Sequence, residues 1–599
     1  MPVQISFSAK TSTASAHGVE QRAVPGGTYL NQLNGTPVSL SPGLPDLEDQ
    51  FGQIGAVDLR AHDWYGVADI DTDYDTTYSD FLDQITNNAP ADKVAAIKTF
   101  TMDFFNRRTI LLNAAEYLAE NAQNVEPQFN WVTTDAYLKR TLANQYYKGT
   151  QKPNVLFRIG RMINGGRGVP RNITNYCNVV REIVDRYTNN YQSIGLPVPI
   201  TNYEIWNEPD LGLFWSTPGS EDTSVTQFYA FYKAVASTIK AAASTALVGP
   251  CGTANAFGNK DYVDNLIDYI KANSLPLDFY SYHFYADQTG DSKNIFQIQK
   301  YVRDTLNSKG FPNAKTYISE WNLTAYASKV NNTKLQSVVN AAFIVSFLID
   351  AEQAGVDKAY YYRGDGAEFG LFNDQNTNNG VGKNFATYAA QAFWLYNAFA
   401  AQRALPIVKN TNTDKTGITA TGAKNQAGNQ IQILLANYKV ASDLVGNDNR
   451  DKLPGGVSLY GQFYIDSNIA AQSIDANRWY GTTLVPPRNN NKFTYNGGEI
   501  PRGPFSSNQN NQLAADSADY SNSSSGYTIT VTDIPAGFTK YTVTVRKVFQ
   551  GSQLASLDGE TIVHTASETI PANRQVVVKD NDPVSAGNNT LALITIDLA

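Results

Sequence analysis

The hydrophobic pattern between about residues 45 and 400 alternates between two kinds of segment. Short runs rich in β-branched and aromatic residues alternate with longer stretches, such as 178–187 and 228–240, whose apolar residues recur at helical spacing. This order is typical of repeated βα units. Seven short runs predict strands two to eight of a parallel sheet: 56–60, 155–159, 203–206, 246–249, 279–282, 316–319 and 359–363. Strand one is expected upstream, around residues 26–33.

After residue 404 the hydrophobic period changes to two. Alternating segments at 430–437, 527–532, 541–546 and 590–596 predict an antiparallel sandwich, which the similar segment 3–9 is expected to join. An Asn- and Ser-rich stretch at 489–522 predicts a long loop. The predicted fold is α/β, a (β/α)8 barrel with an attached antiparallel β-sandwich. The predicted divisions are 1–44, an N-terminal segment; 45–403, the barrel; and 404–599, the sandwich.

Composition narrows the class of partner. Of the 599 residues, 42% are hydrophobic, 12% are aromatic and only 17% are charged, so the surface is expected to be polar but weakly charged, which suits neutral sugars. A net charge of −8 argues against general attraction to nucleic acid or to acidic membranes. A locally placed Arg would still allow an acidic sugar.

The two cysteines and the N-terminus bear on cellular location. Cys177 and Cys251 give no disulfide framework, and both are interpreted as buried small hydrophobes. The segment after Met1 has neither a basic region nor an apolar region, so no signal peptide is visible, and no run of 18 apolar residues predicts a membrane span. The composition suggests an extracellular or cell-surface protein, and the export route and oligomeric state stay open.

Two glutamates stand where barrel chemistry is expected. Glu208 ends a predicted strand, because Pro209 lacks the N–H that would continue a ladder, and Glu320 ends another. In a (β/α)8 barrel the carboxyl ends of the strands face the active site. The separation of 320 − 208 = 112 residues leaves room for about three βα units and so predicts strands four and seven.

Several motifs carry a resemblance to a known family. They are Trp-Asn-Glu-Pro at 206–209, Ser-Glu-Trp at 319–321, His-Phe-Tyr at 283–285, Arg-Ala-His-Asp at 60–63 and Phe-Asn-Trp at 129–131. With these motifs, residues 45–400 resemble the retaining glycoside hydrolases of clan A, and most of all glycoside hydrolase family 39, which includes β-xylosidases and exopolysaccharide hydrolases. The segment 99–128 departs from the family as an insertion, and the sandwich half shows no close match.

The resemblance implies a role for each residue of the central motif. Glu208 would be the acid and later the base, Glu320 the nucleophile, and Asn207 would contact the sugar 2-hydroxyl. Two negative charges roughly 5 Å apart repel by about 3 kcal/mol, or roughly two pKa units, so one carboxyl is expected to stay protonated near neutral pH. A single strand-end glutamate could instead cap a helix or pair with an Arg, but capping does not explain the pair together with Asn207.

Other residues are expected around this pair. His62 and His283 end predicted strands, and the resemblance implies that His62 binds a sugar hydroxyl and that Arg60 supports the site from below. The resemblance also implies that the Tyr285 phenol hydrogen-bonds the nucleophile and keeps it ionised. Glu204 is interpreted as a structural partner for an Arg.

Three further residues leave alternatives open. Trp321 and Trp215 are candidates for stacking on sugar rings, and the alternative for each is burial in the core. Arg363, after strand eight, could recognise a uronate or neutralise Glu320.

No Cys/His cluster, phosphate-binding Gly loop or dinucleotide fingerprint is present, so no metal or cofactor is expected. The predicted partner is an oligo- or polysaccharide, with no nucleic acid and no membrane. The rival prediction is a non-catalytic carbohydrate-binding or virion/surface structural protein built on the same barrel. Against this rival, a protein that had lost its catalytic activity would be expected to have lost at least one of Glu208, Glu320, Asn207 and Tyr285, and all four are present.

Overall fold

The computed structural model describes the greater part of both predicted halves of the chain. The described residues are 2–11, 30–35, 37, 47–56, 58–62, 110–111, 128–129, 131–143, 153–160, 173–211, 214–215, 225–286, 291–325, 335–365, 369–373, 385–411, 417–438, 488–489, 492–495, 498–501, 526–551, 560–582, 586 and 589–599. Asp63, Asn130 and most of the predicted insertion at 99–128 lie outside them.

The strands of the described residues are β1 (Val3–Thr11), β2 (Gln32–Asn34), β3 (Asp58–Ala61), β4 (Ile110–Leu111), β5 (Gln128–Phe129), β6 (Asn154–Ile159), β7 (Asn202–Ile205), β8 (Leu247–Pro250), β9 (Phe279–Tyr285), β10 (Lys315–Asn322), β11 (Lys358–Tyr361), β12 (Phe372–Asn373), β13 (Phe385–Ala386), β14 (Leu405–Lys409), β15 (Ile418–Lys424), β16 (Gln430–Asn437), β17 (Arg488–Asn489), β18 (Lys492–Tyr495), β19 (Gly498–Pro501), β20 (Tyr527–Thr532), β21 (Lys540–Val548), β22 (Glu560–Thr569), β23 (Val576–Asp580) and β24 (Thr590–Leu598). The helices are α1 (Glu48–Gln53), α2 (Val132–Leu142), α3 (Ile173–Val184), α4 (Val225–Ala242), α5 (Lys260–Ala272), α6 (Asn294–Ser308), α7 (Val338–Gln353) and α8 (Tyr388–Gln402). A π-helical turn at Asp185–Asn189 continues α3.

Eight parallel strands form the barrel, in the order β8-β7-β6-β3-β2-β11-β10-β9. A bridge between Thr253 and Tyr282 joins the two ends of this order, and the N–H of His283 donates to the Thr253 carbonyl at 2.9 Å. In chain order the barrel strands one to eight are therefore β2, β3, β6, β7, β8, β9, β10 and β11. The predicted (β/α)8 barrel with an attached β-sandwich is confirmed, because a second, mostly antiparallel sheet follows it.

Alternation of side chains explains why these segments form a barrel. In β7, Tyr203 packs outward against Phe157, which also packs against Tyr187, whereas Glu204 points inward to Arg60. Helix α7, the most hydrophobic of the described helices, is buried along nearly its whole length because it lies between the barrel and the second sheet. Strand one begins later than expected, at Gln32. Residues 26–29 lie outside the described part of the chain.

The second sheet has the order β22-β21-β24-β16-β15-β14-β1-β20-β23. Strand β1 lies between β14 and β20, so the N-terminal segment joins the sandwich as its alternating pattern predicts. Apolar residues from all parts of the sheet, among them Phe7, Ile433, Val545 and Ile594, form one buried core. A second group, including Leu434 and Leu593, faces the opposite way and packs with the barrel helices.

One predicted loop is wrong in its described part. Within 489–522, strands β18 and β19 pair antiparallel, with Phe493 opposite Ile500. The alternation at 492–495 was the signal for a strand, and the surrounding Asn and Gln residues obscured it. No helix within the described residues is both long and apolar enough to cross a membrane.

Candidate active site

The backbone from Trp206 to Glu208 departs from regular strand geometry. Strand β7 ends at Ile205, and Trp206 and Glu208 both have positive φ, 74° and 47°, a conformation unfavourable for residues with a Cβ. The turn points the Trp206 indole outward, where its Nε1 donates to the Phe214 carbonyl at 3.0 Å. Such local strain at a strand end is common where a catalytic side chain must be held in place.

Glu320 reaches the same interior from β10. Its strand pairs with β9, where a register irregularity between Ile318 and Glu320 places Glu320 opposite His283. Ligand atoms of Glu208, His283 and Glu320 all lie within 4.8 Å of one another. The structure therefore brings together the two glutamates that lie 112 residues apart in the sequence.

Arg60 links the residues of this interior. Its buried guanidinium donates from Nε to Glu204 Oε2 at 2.5 Å, from Nη1 to Glu320 Oε1 at 2.7 Å and from Nη2 to Asn207 Oδ1 at 2.7 Å. Burial opposes ionisation of the group, but the charges of Glu204 and Glu320 outweigh it and raise the pKa of Arg60. The arginine partner predicted for Glu204 is thus Arg60, below the site.

Donors converge on the Glu320 carboxylate. The Tyr285 hydroxyl donates to Oε2 at 2.8 Å, as predicted, and Nε2 of His62 lies 3.2 Å from Oε1. Burial and the neighbouring Glu320 charge raise the pKa of Tyr285, so its hydroxyl keeps its proton and stays a donor. Together with Arg60, these contacts orient the carboxylate. The sugar-hydroxyl role of His62 stays a prediction.

Glu208 has a different partner. Its Oε1 lies 2.7 Å from Nδ1 of His283, and the same nitrogen lies 3.5 Å from Glu320 Oε2. Burial lowers the pKa of His283 from 6.5 to about 3, so the ring is neutral. A neutral imidazole can donate or accept at Nδ1, depending on its tautomer, so it can contact Glu208 whether that carboxyl is protonated or ionised.

The oxygen and the nitrogen of the Asn207 side-chain amide differ in their hydrogen bonding. Its Oδ1 accepts from Arg60, which fixes the amide orientation, while its buried Nδ2 has no hydrogen-bond partner among the described residues. An unpaired buried donor is costly, and a ligand hydroxyl at this position would satisfy it.

Two predicted sugar platforms are wrong. Trp321 and Trp215 are 0% and 1% exposed. Trp321 stacks on Phe347 of α7 at 4.1 Å between ring centroids, and Trp215 packs edge-on against Trp206 at 5.1 Å. Alternation along β10 is the physical reason for Trp321, because a residue next to the inward-facing Glu320 faces outward.

Arg363 pairs with a residue that the sequence had not suggested as its partner. Its guanidinium forms a two-bond ion pair with Asp365, one bond being Nη2 to Oδ2 at 2.8 Å. Arg60 forms an ion pair with Glu320, and a contribution of Arg363 to neutralising that charge stays a prediction. Recognition of a uronate by Arg363 stays a prediction.

Two residues of the site were not predicted. Asn34 ends strand one, donates from Nδ2 to the carbonyls of Ser319 and Tyr360, and accepts from Arg60 at 3.2 Å. Asp210 accepts hydrogen bonds from the loop after strand five. Both sets of contacts join residues that are far apart in sequence, so no local pattern predicts them. The available signals are that Asn34 ends a strand and that Asp210 lies two residues after Glu208 in the sequence.

The trio of Glu208, His283 and Glu320 is compact enough to hold a metal ion. Arg60 already provides a cation at 2.7 Å from Glu320. The expectation that the chain needs no metal or cofactor stays an expectation.

The barrel, with carboxylates at the ends of strands four and seven, is the arrangement expected of the clan A glycoside hydrolases. The model of the family described as Glycosyl hydrolases family 39 matches residues 101–364. A β-xylosidase from Geobacillus stearothermophilus is 26% identical over 163 residues, which cover 24% of this chain and only 30% of that enzyme. The chain is thus related to glycoside hydrolase family 39, and the resemblance predicted from its sequence is confirmed.

Solved structures share the whole architecture. A glucosidase from Croceicoccus marinus aligns with a TM-score of 0.62 at 19% identity, covering 100% of this chain and 99% of its own. A family 39 enzyme from Xanthomonas axonopodis pv. citri aligns with a TM-score of 0.58 at 15% identity, over 100% and 98%. A monomeric β-xylosidase from Caulobacter crescentus CB15 aligns with a TM-score of 0.56 at 14% identity, over 99% of each chain. At these identities the likeness concerns the fold.

Proposed function

We propose that this chain is a retaining glycoside hydrolase that cleaves β-linked bonds of an oligo- or polysaccharide by double displacement. The observation that carries the proposal is the approach of the Glu208 and Glu320 carboxylates, each with an oxygen within 4.8 Å of the other. Retaining enzymes have carboxyl groups about 5–5.5 Å apart, whereas inverting enzymes need about 6.5–9.5 Å to admit a water. The short separation therefore favours retention.

Glu320 is the proposed nucleophile. Its oxygens accept from Arg60 and Tyr285, which hold the carboxylate in a fixed orientation for attack on the anomeric carbon. The attack forms a covalent glycosyl-enzyme and expels the leaving-group oxygen.

Glu208 is the proposed acid and base. It gives its proton to the leaving oxygen in the first step and, as a carboxylate, takes a proton from the attacking water in the second. The contact with neutral His283 supports both states, since the ring adds no charge that would fix Glu208 in one of them.

Asn207 is proposed to bind the sugar 2-hydroxyl. Its unpaired Nδ2 is the donor available for this contact, and Arg60 keeps the amide from rotating. A hydrogen bond to the 2-hydroxyl strengthens as positive charge develops on the sugar ring, so it lowers the barrier more than it improves ground-state binding.

The substrate class rests on relatives and on the site. The matched relative is named a β-xylosidase, which favours a neutral β-linked pentose. Exopolysaccharide-hydrolase activity remains the alternative within the same mechanism.

Two measurements on the wild-type protein test the proposal. A panel of aryl β-glycosides and polysaccharides should reveal hydrolysis, and NMR of the first product formed should show the retained β-anomer. A 2-deoxy-2-fluoro glycoside of the best substrate should inactivate the enzyme and label Glu320, as judged by peptide mass. Polysaccharide binding without hydrolysis would favour the non-catalytic rival, and an inverted product would remove both proposed roles.

A further inference from the structure

A second set of contacts lies beside the candidate acid/base. Asp210, two residues after Glu208, accepts from the Ala254 N–H at Oδ1 (2.9 Å) and from the Asn255 N–H (3.3 Å) and the Asn259 Nδ2 (2.9 Å) at Oδ2. All three donors lie on the loop that joins β8 to α5. One half-buried carboxylate thus ties the segment that carries Glu208 to the loop after strand five.

The same loop also holds Glu208 directly. The N–H of Glu208 points to the carbonyls of Cys251 (2.8 Å) and Gly252 (3.2 Å). Two residues further along the loop, the Thr253 carbonyl accepts from the N–H of His283, whose ring contacts Glu208. Displacing this loop would therefore disturb both the backbone of the acid/base and its side-chain partner.

The backbone at Glu208 requires such support. Positive φ at Trp206 and Glu208 is unfavourable for residues with a Cβ and persists only where surrounding contacts outweigh its cost. The Asp210 carboxylate supplies three charge-assisted hydrogen bonds within two residues of Glu208. A small apolar cluster of Leu211, Phe214 and Ala254 completes this contact.

We propose that Asp210 is a positioning residue that holds the Glu208 carboxyl on the leaving-group oxygen by clamping its segment to the loop 251–259. The inference rests on the proposed function and adds a residue to it. Asparagine cannot replace aspartate here, because it has one acceptor oxygen where the carboxylate has two. Its amide NH2 group would also be a further donor among the three donors of the loop.

Leaving-group dependence distinguishes positioning from general loss of structure. Poor leaving groups need protonation by Glu208, whereas a dinitrophenolate leaves without it. We expect Asp210→Asn to lower kcat/KM about 10–100-fold for phenyl β-glycosides and less than about threefold for 2,4-dinitrophenyl β-glycosides, since misplacing a catalytic group by about 1 Å can cost a hundredfold. The plot of log kcat/KM against leaving-group pKa becomes steeper.

Two more variants complete the test. Asn259→Ala removes one of the three bonds and should steepen the plot in the same direction by a smaller amount, which keeps the test decisive if Asp210→Asn does not fold. Asp357→Asn is the matched control, because Asp357 accepts from the Thr316 N–H (2.9 Å) and Oγ1 (3.2 Å) where β10 and β11 begin, at the opposite end of the barrel. Its plot should keep the wild-type slope.

Failure of the positioning role of Asp210 can be distinguished from failure of the proposed glycoside hydrolase function. If wild-type protein hydrolyses no glycoside, the proposed function falls and the role of Asp210 falls with it. If wild-type protein is active but Asp210→Asn and Asn259→Ala lower kcat/KM equally for every leaving group, or leave it unchanged, the positioning role alone is overturned.

Discussion

Nδ1 of His283 lies 2.7 Å from Oε1 of Glu208, and the imidazole is buried in the barrel interior. Burial lowers the pKa of this histidine to about 3, so a neutral ring is the partner of the proposed acid/base. A charged imidazolium at this distance would hold Glu208 as a carboxylate and oppose its role as an acid. Burial of His283 is thus compatible with the acid/base role proposed for Glu208.

The neutral state of His283 should make stability depend on pH. Between about pH 6.5 and pH 3 the unfolded chain binds a proton at this residue and the native protein does not, so native stability falls as the pH falls. We expect each unit of pH below about 6 to lower the free energy of unfolding of the wild type by about 1.4 kcal/mol relative to His283→Asn. Urea unfolding of both proteins from pH 7 to pH 4.5 measures this. A difference that stays constant over the range would contradict a neutral His283.

Tyr285→Phe should slow the reaction without unfolding the barrel. The variant removes a donor to the Glu320 carboxylate, and a hydrogen bond to a charged group is worth about 1.5–3 kcal/mol. We expect kcat/KM to fall by about ten- to hundredfold. Tyr232→Phe is the control, because that hydroxyl donates to the Pro276 carbonyl, outside the site. Equal losses of activity in the two variants would remove the role of Tyr285.

Trp321 provides a test of the corrected assignment. Its indole packs against Phe347 and Phe393 and its Nε1 has no hydrogen-bond partner among the described residues. We expect Trp321→Ala to cost about 3–5 kcal/mol in the free energy of unfolding. Trp321→Phe should cost much less and leave KM unchanged. A raised KM in Trp321→Phe with little change in stability would restore the sugar-stacking role.

The barrel was predictable because its signals are local. Each strand is predicted by a run of β-branched or aromatic residues. Pro209 marks the strand end at Glu208, and the length of the βα units between the two glutamates predicts that Glu320 ends strand seven. The pairing of Glu204 with an arginine also followed from alternation, since a charge that points into the barrel needs an opposite charge. These predictions need only the spacing of hydrophobic and polar residues along the sequence.

The missed features depend on contacts between distant segments. Asp210 meets residues 254–259, and Asn34 meets Ser319 and Tyr360, pairings that no local pattern encodes. Trp321 is a different case, because alternation along β10 places its side chain opposite to that of Glu320 and so predicts burial, although the two residues are adjacent in the sequence. The positive φ of Trp206 and Glu208 could not be foreseen, since neither residue is a glycine.

The central claim is that Glu208 and Glu320 act as a retaining pair, and Glu208→Ala with azide tests it most directly. Without its acid/base the variant should still form a glycosyl-enzyme from a dinitrophenyl β-glycoside but hydrolyse it slowly, giving a burst of phenolate. Azide needs no base, so it should restore turnover and yield the β-glycosyl azide, identified by NMR, whereas wild-type protein should form none. An α-glycosyl azide, or a variant with neither a burst nor a response to azide while the wild type is active, would contradict the assignment of Glu208 and the double-displacement mechanism.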